Sequence, residues 1–500
     1  MVFSLADREK MNSSIEFHHS MRAARIWVII FSFILLSGCK IITPSQNPNN
    51  ETSSTKQPTS FSQTPRSSAT IPISTISIQT QTPSSSSFPQ VSPTSQASEN
   101  YTISQLRMSD IDTGWALFSS PFIGPEKSKI LRTTHGVRTW VDVTPPISDS
   151  SSHIRAAYFL DANIAVAVSS HSFMPTLPNV EIAPWRTTDG GQTWQAGEKI
   201  QIEYAPDIYP AQLFFIDSET GWLLGGIDSG MQHIRVQLYE THDGGMVWSL
   251  VYDTANHLSD PATLWANGYY PFPDHSIFNS EKSGFFSRGG LYDSKDGGKS
   301  WQYQTLSAPL DLPDLDCQGG KCKYLSIISI PRFTSTTDGV LIRRAYLNSE
   351  TVLDAFVSYP NTLNRVPFPT SQYLYFTNDG GITWIPKPSP IKLGTVYFRD
   401  AQTGWLLGKN DSRQSTLTQL YMTTNRGDSW TLITDDSILP LGSELQFNDD
   451  HTGFAFIPVA TSDFYKDFDN SINNDIHYSY LFSTDDGGRS WVKVEPKITP

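Results

Sequence analysis

The side chains best equipped for chemistry in this 500-residue chain recur at one fixed place: Asp189, Asp243, Asp296, Asp379 and Asp486, with Asn425 at the equivalent position. A positioned carboxylate can serve as general acid or base, and two facing across a pocket are what glycoside hydrolysis requires. Each of these, however, lies in a run close to Thr-x-Asp-Gly-Gly-x-Thr-Trp. The clearest boxes are Thr187–Trp194, Ser294–Trp301, Thr377–Trp384 and Thr484–Trp491. Thr241–Trp248 has Val247 at the second hydroxyl place, and Thr423–Trp430 has Asn425 and Arg426 at the Asp and first Gly places. Thr133–Trp140 is worn, with His135 and Val137 at the Asp and second Gly places. An acid that repeats with its turn serves the turn: it accepts hydrogen bonds from nearby amides and from the Ser or Thr two residues earlier. These six residues are therefore read as structural, and no catalytic residue is assigned. His135 is read as wear in a terminal repeat, not as a metal ligand.

Other candidates fare no better as reagents. The box tryptophans (Trp140, Trp194, Trp248, Trp301, Trp384, Trp430, Trp491) could stack on sugars, but inter-sheet packing is the expected use of so regular a set. Asp463, Asp467, Asp469, Asn470, Asn473, Asn474 and Asp475 offer oxygen ligands without the glycine and closing glutamate of a calcium loop, so a solvated acidic loop is expected and no metal is assigned. Trp265, Tyr269, Tyr270 and Phe272, with Tyr373 and Tyr375, form an aromatic stretch for which burial is expected over contact with a sugar or protein. Cys317 and Cys322 lie in Cys-Gln-Gly-Gly-Lys-Cys. Zinc would need two further soft ligands, so outside the cytoplasm the pair is expected to form a disulfide. No cofactor is implied.

A second pattern precedes each box, close to Phe-x-Asp-x-x-x-Gly-Trp. Phe215–Trp222 and Phe398–Trp405 match in full; Met108–Trp115, Phe278–Phe285 and Phe447–Phe454 match nearly; Phe159–Val166 and Phe333–Val340 are weakest. It reads as a strand end, a polar turn whose glycine supplies positive φ, and a second short strand. A third strand runs into the box, whose glycine pair turns a hairpin, and a fourth leaves it. Four strands in each of seven units predict an all-β, seven-bladed β-propeller of four-stranded antiparallel blades over residues 101–500. The box tryptophans are 54, 54, 53, 83, 46 and 61 residues apart, which places insertions in blades five and seven.

The first hundred residues have a different character. Arg22 and Arg25 precede an apolar run, Ile26 to Leu36, whose 11 residues are too few to span a bilayer and suit a signal-peptide core. Met21 is a candidate initiator. The run ends Leu36-Ser37-Gly38-Cys39, which resembles the lipobox of bacterial lipoproteins and implies lipidation at Cys39. Residues 1–39 are thus read as a lipoprotein signal peptide. Residues 40–100 follow as a disordered linker, since 26 of residues 41–100 are Ser or Thr and 8 are Pro. Residues 101–500 carry 29 Lys+Arg against 44 Asp+Glu, net −15. No basic stripe interrupts this balance, which argues against nucleic acid and against membrane contact other than through the anchor.

The paired motifs resemble the BNR or Asp-box repeats, and more closely the Ycf48/Hcf136-like photosystem II assembly factors, over all of residues 101–500. That resemblance implies a seven-bladed propeller with a surface arginine patch. Arg343 and Arg344 are adjacent here, but the acidic balance departs from the pattern. Sialidases also carry such boxes, and resemblance to them would imply three arginines and a Tyr–Glu pair. Their Arg-Ile-Pro landmark is absent, the sequence reading Ile330-Pro331-Arg332 instead. The resulting expectation is a monomeric, non-enzymatic, lipid-anchored extracytoplasmic propeller that binds a protein or an envelope glycan. The alternative is a sialidase-like or other glycoside hydrolase.

Overall fold

The computed structural model describes residues 102–119, 128–171, 179–203, 208, 211–229, 234–256, 277–287, 290–313, 315, 323–347, 368–410, 417–458 and 481–499. The signal segment with Cys39, the linker, Cys317 and Cys322, the stretch 463–475, and Trp265, Tyr269, Tyr270 and Phe272 lie outside the described residues. Seven antiparallel sheets follow one another along the chain, each a meander in which consecutive strands pair. Blade three is representative: Ala211–Phe215, Gly221–Ser229, Ile234–Thr241 and Ser249–Asp253, in that order across the sheet. The chain is a seven-bladed β-propeller, as the repeats predict.

Its core is divided. Seven apolar clusters occupy the seven gaps between neighbouring blades, including the gap between blades seven and one, where Trp140 packs with Phe454, Phe456 and Val494. No sheet could bury both faces alone, so the ring is the smallest unit that hides them all. Closure is also hydrogen-bonded. The Met108 amide donates to Gln446 Oε1 at 3.0 Å, and Gln446 Nε2 donates back to the Met108 carbonyl. A final strand, Lys497–Thr499, leaves blade seven and pairs in parallel with Thr139–Val141 at the outer edge of blade one. Two blades gain a fifth strand in this or another way: in blade two, Ile200–Glu203 pairs with the third strand. In blade five the first strand is broken into Tyr324–Ile328 and Arg332–Phe333, with Pro331, which has no amide to donate, in the break.

The two motifs meet in each blade. The turn after the first strand and the box turn after the third lie at the same end of the sheet. One hydrogen bond joins them in every blade, from Gly190 N to Asn163 O at 2.9 Å in blade two and from Gly487 N to His451 O at 2.8 Å in blade seven, for example. The disc therefore has a box face. At its opposite face the second and fourth strands end and the first and third strands begin.

One expectation about these turns is corrected. The glycine that closes the first motif is not a positive-φ residue; the positive-φ glycines are those of the boxes, Gly190 and Gly191 at 76° and 84° among them, and Gly442. Gly221 instead opens the second strand, and a Cβ there would stand 2.5 Å from the Phe215 ring. The same clash with the motif's own Phe arises at Gly284, Gly339, Gly404 and Gly453. The residue is small so that this ring can lie flat on the backbone.

Candidate functional site

The box aspartates are dispersed around the disc, one in each of blades two, three, four, five and seven, and their lone pairs are in use. Thr187 Oγ donates to Asp189 Oδ1 at 2.8 Å, while Thr193 donates its amide to Oδ1 at 2.9 Å and its hydroxyl to Oδ2 at 2.6 Å. Asp243, Asp296, Asp379 and Asp486 repeat this pattern, with Val247 supplying only its amide in the second case. The bonds from Thr193 hold the Asp189 carboxyl at about 2. Burial pulls Asp486 upward, but the bonds from Ser490 hold it at about 2 as well. Both groups are ionised at neutral pH, and neither has a proton to give. Asn425 keeps the turn by a different route: its Oδ1 accepts from Thr423 and Ser429, and its Nδ2 donates to Ser429 Oγ at 2.9 Å. Arg426, at φ 57°, stands where the other boxes have their first glycine, and is the one positive-φ residue besides glycine among the described residues.

The tryptophans form three-ring stacks at the blade interfaces. Trp222 of blade three lies 3.9 Å from Phe278 of blade four at 3°, and Trp301 meets the same Phe278 edge-on at 6.0 Å. Trp405, Phe447 and Trp491 repeat the arrangement between blades six and seven. Tyr373 and Tyr375 are buried, bonded to Asp311 and to the Ser307 carbonyl. Arg343 and Arg344 are 2% and 8% exposed, so they form no surface patch. Arg343 donates to Tyr375 and Ser326, and Arg344 to Gln372 and to the Gly394 carbonyl of blade six. Among the described residues no three His, Cys, Asp or Glu side chains converge as metal ligands.

A convergent set does exist, at the axis, and sequence reasoning missed it. First strands lie against one another between blades two and three, three and four, and six and seven, which puts the first strands on the inner wall of the ring. The residue just before each motif phenylalanine or methionine sits at the same register in every blade: Arg107, Tyr158, Phe214, Ile277, Arg332, Tyr397 and Gln446. All are partly or fully exposed, and all stand at the box-face end of the inner strands. Arg332 of blade five reaches Glu444 of blade seven, Nη2 to Oε1 at 3.4 Å. Blade six lies between these two in the ring, so only the axis can bring them together. Arg107 of blade one acts electrostatically on both Tyr158 of blade two and Tyr397 of blade six. Burial pushes both tyrosine hydroxyls up, against the pull of that arginine. The Tyr397 hydroxyl donates to the Phe447 carbonyl at 3.2 Å. A third arginine nearby, Arg399, is held by Asp450 at 2.7 Å and Asp400 at 3.3 Å. The signal that could have found this set was the position immediately upstream of the first motif, whose residue type varies while its register does not.

No family model matches the chain, and no curated protein does. Among solved structures it is similar to YCF48 bound to a D1 peptide, with 14% identity and a TM-score of 0.41 over 72% of this chain and 90% of that one. It is similar to YCF48 from Cyanidioschyzon merolae, with 14% identity and a TM-score of 0.37 over 70% of this chain and 86% of that one. It is similar also to the GH74 xyloglucanase of Xanthomonas campestris, with 13% identity and a TM-score of 0.28 over 76% of this chain and 53% of that one. The class to which the chain belongs, that of seven-bladed propellers, follows from the strand pairing and ring closure described above.

Proposed function

We propose that this protein is a binding propeller: a lipid-anchored, extracytoplasmic scaffold that holds a protein or an envelope glycan at the box-face mouth of its axis and does no chemistry on it. The observation that carries the reading is the composition of the axial set. Arg107 has no ion-pair partner among the described residues, and Arg332 shares a half-exposed pair with Glu444. Arginines so placed are donors for recognition. A glycosidase of the sialidase kind would need a tyrosine activated by an adjacent carboxylate. Tyr397 has the opposite character, with its hydroxyl pushed up by burial and bonded to a backbone carbonyl. The box carboxylates, already ionised and fully bonded, support the same reading. Anchoring and location are supported by the apolar run that ends in Leu36-Ser37-Gly38-Cys39.

The test has two parts. Purified protein is incubated with a panel of chromogenic glycosides that includes a sialoside, and the tethered form is used to capture partners from envelope extracts. The proposal expects no turnover, and capture that falls when Arg107 and Arg332 are replaced by Gln. Turnover abolished by substitution of one axial carboxylate, Glu444→Gln, would overturn it in favour of a hydrolase.

A further inference from the structure

Most charges at the axial mouth are balanced within the protein, and on the binding role just given this narrows the ligand. Arg332 is paired with Glu444 at 3.4 Å. Arg399 is paired with Asp450 at 2.7 Å and with Asp400 at 3.3 Å. In the turns that surround the mouth, Asp338 of blade five is paired with Arg426 at 3.0 Å, and blade four carries one residue of each sign, Glu281 and Lys282. Arg107 has no ion pair among the described residues, but the exposed Asp110 and Asp449, in the turns of blades one and seven, oppose an anion there. A second layer lies deeper in the ring. Two residues before the first set, at one register, the inner strands of blades one, three, six and seven carry Gln105, Gln212, Thr395 and Glu444. Residues two apart on a strand share a face, so this layer continues the first. All four are partly exposed, and three of them are uncharged. Among the described residues the Gln105 side chain makes no hydrogen bond, and Glu444 uses only Oε1. In the first layer the partly exposed rings of Tyr158 and Phe214 meet edge-on at 5.5 Å.

A charged ligand would have to compete with one of these pairs for its partner, or face a like charge. A hydroxyl group both donates and accepts. It can bond a guanidinium N–H and a carboxylate oxygen of one pair and leave the pair intact. A ring that carries several hydroxyls offers this combination repeatedly, and its C–H face suits an aromatic side chain. We propose that the axial mouth binds an uncharged saccharide. Its hydroxyls bond Arg332, Glu444 and Gln105, and its ring lies against Tyr158 and Phe214.

The experiment is isothermal titration calorimetry of the full-length chain with cellotetraose, maltotetraose, mannotetraose and chitotetraose, and with trigalacturonate as the anionic control. At least one of the neutral sugars should bind, and more tightly than trigalacturonate. Glu444→Gln should weaken that sugar about tenfold or more, the loss for a hydrogen bond to a charged group. Gln105→Ala should weaken it roughly two- to tenfold, the loss for a neutral one, and carries the test if Glu444→Gln does not fold. Binding of none of the neutral sugars, tighter binding of trigalacturonate, or an affinity unchanged by these substitutions would each overturn the saccharide assignment. The binding role is judged separately. A chain that ignores these sugars yet captures a partner that Arg107→Gln/Arg332→Gln releases keeps the role and loses the saccharide, whereas turnover in the glycoside panel removes the role itself.

Discussion

Replacing Trp222 by Ala tests whether the tryptophans are structural, and its magnitude can be worked from the geometry. Trp222 is 1% exposed and lies flat on Phe278 at 3.9 Å, across the gap between blades three and four. A buried tryptophan removes about 150–250 Å² from water. At about 25 cal/mol per Å² this is about 4–6 kcal/mol, an upper bound because the unfolded chain already hides part of that surface. Measured truncations of buried aromatics cost about 3–5 kcal/mol, a range that includes the lost stack and the cavity. We therefore expect a loss of about 4 kcal/mol, read as a shift of the urea midpoint by far-UV circular dichroism. The Trp222 indole N–H has no acceptor among the described residues, so Trp222→Phe keeps the stack, forfeits no hydrogen bond, and should recover more than half of that loss. Trp115 differs, because its N–H donates to the Asp161 carbonyl at 2.8 Å. Trp115→Phe should then cost about 1 kcal/mol more than Trp222→Phe. A Trp222→Ala protein within about 0.5 kcal/mol of the parent would refute the packing argument, since that is the range of substitutions that disturb no core.

Four further outcomes follow from particular contacts. Gly221→Ala drives a methyl group to 2.5 Å from the Phe215 ring and should cost about 1–3 kcal/mol by overpacking, with Gly221→Ala/Phe215→Leu partly restored; urea titration measures both. Asp189→Asn should leave the urea midpoint close to the parent's, because Asn425 already shows how an amide serves the turn, whereas Asp189→Ala removes the acceptor of the Thr193 amide and should lower the midpoint further. Asp189 and Asp486 have folded values near 2, below the ordinary 3.8, so their stabilisation is fully present above about pH 4 and fades as pH falls through 2; acid titration of Asp189→Asn/Asp486→Asn should show a shallower loss than the parent over that window. Deleting residues 496–500 removes the strand against Thr139–Val141 and the Ile498 contact with the blade-one and blade-seven cluster, and should lower the melting temperature while leaving the other blade interfaces protected from hydrogen exchange.

The repeat carried most of the fold into view before any coordinates. Turn chemistry and a large ring recur together, and both are local in sequence, so the blade count and the box hydrogen bonds could be read directly. Even the weakest copies keep the form: Phe333–Val340 lacks the turn Asp, but Ser335 Oγ accepts from Thr337 and Asp338 in its place. What could not be read depends on residues far apart. The role of Gly221 is set by where the Phe215 ring comes to rest. The parallel strand Lys497–Thr499 finds a partner more than 350 residues upstream. The axial set has no constant residue type, since Arg107, Tyr158, Phe214 and Gln446 are related only by register. The neighbouring pair Arg343 and Arg344, conspicuous in sequence, proves to be interior.

On the proposed role, the boxes build the ring and the axis binds the partner. The most direct measurement sets the urea midpoint against partner capture from envelope extract for two groups of variants: Asp243→Ala and Asp379→Ala in the boxes, Arg107→Gln and Arg332→Gln at the axis. The box variants should lose stability and keep capture for the fraction that folds, and the axial variants should keep the parent midpoint and lose capture. A box variant that folds at the parent midpoint yet captures nothing would contradict the division.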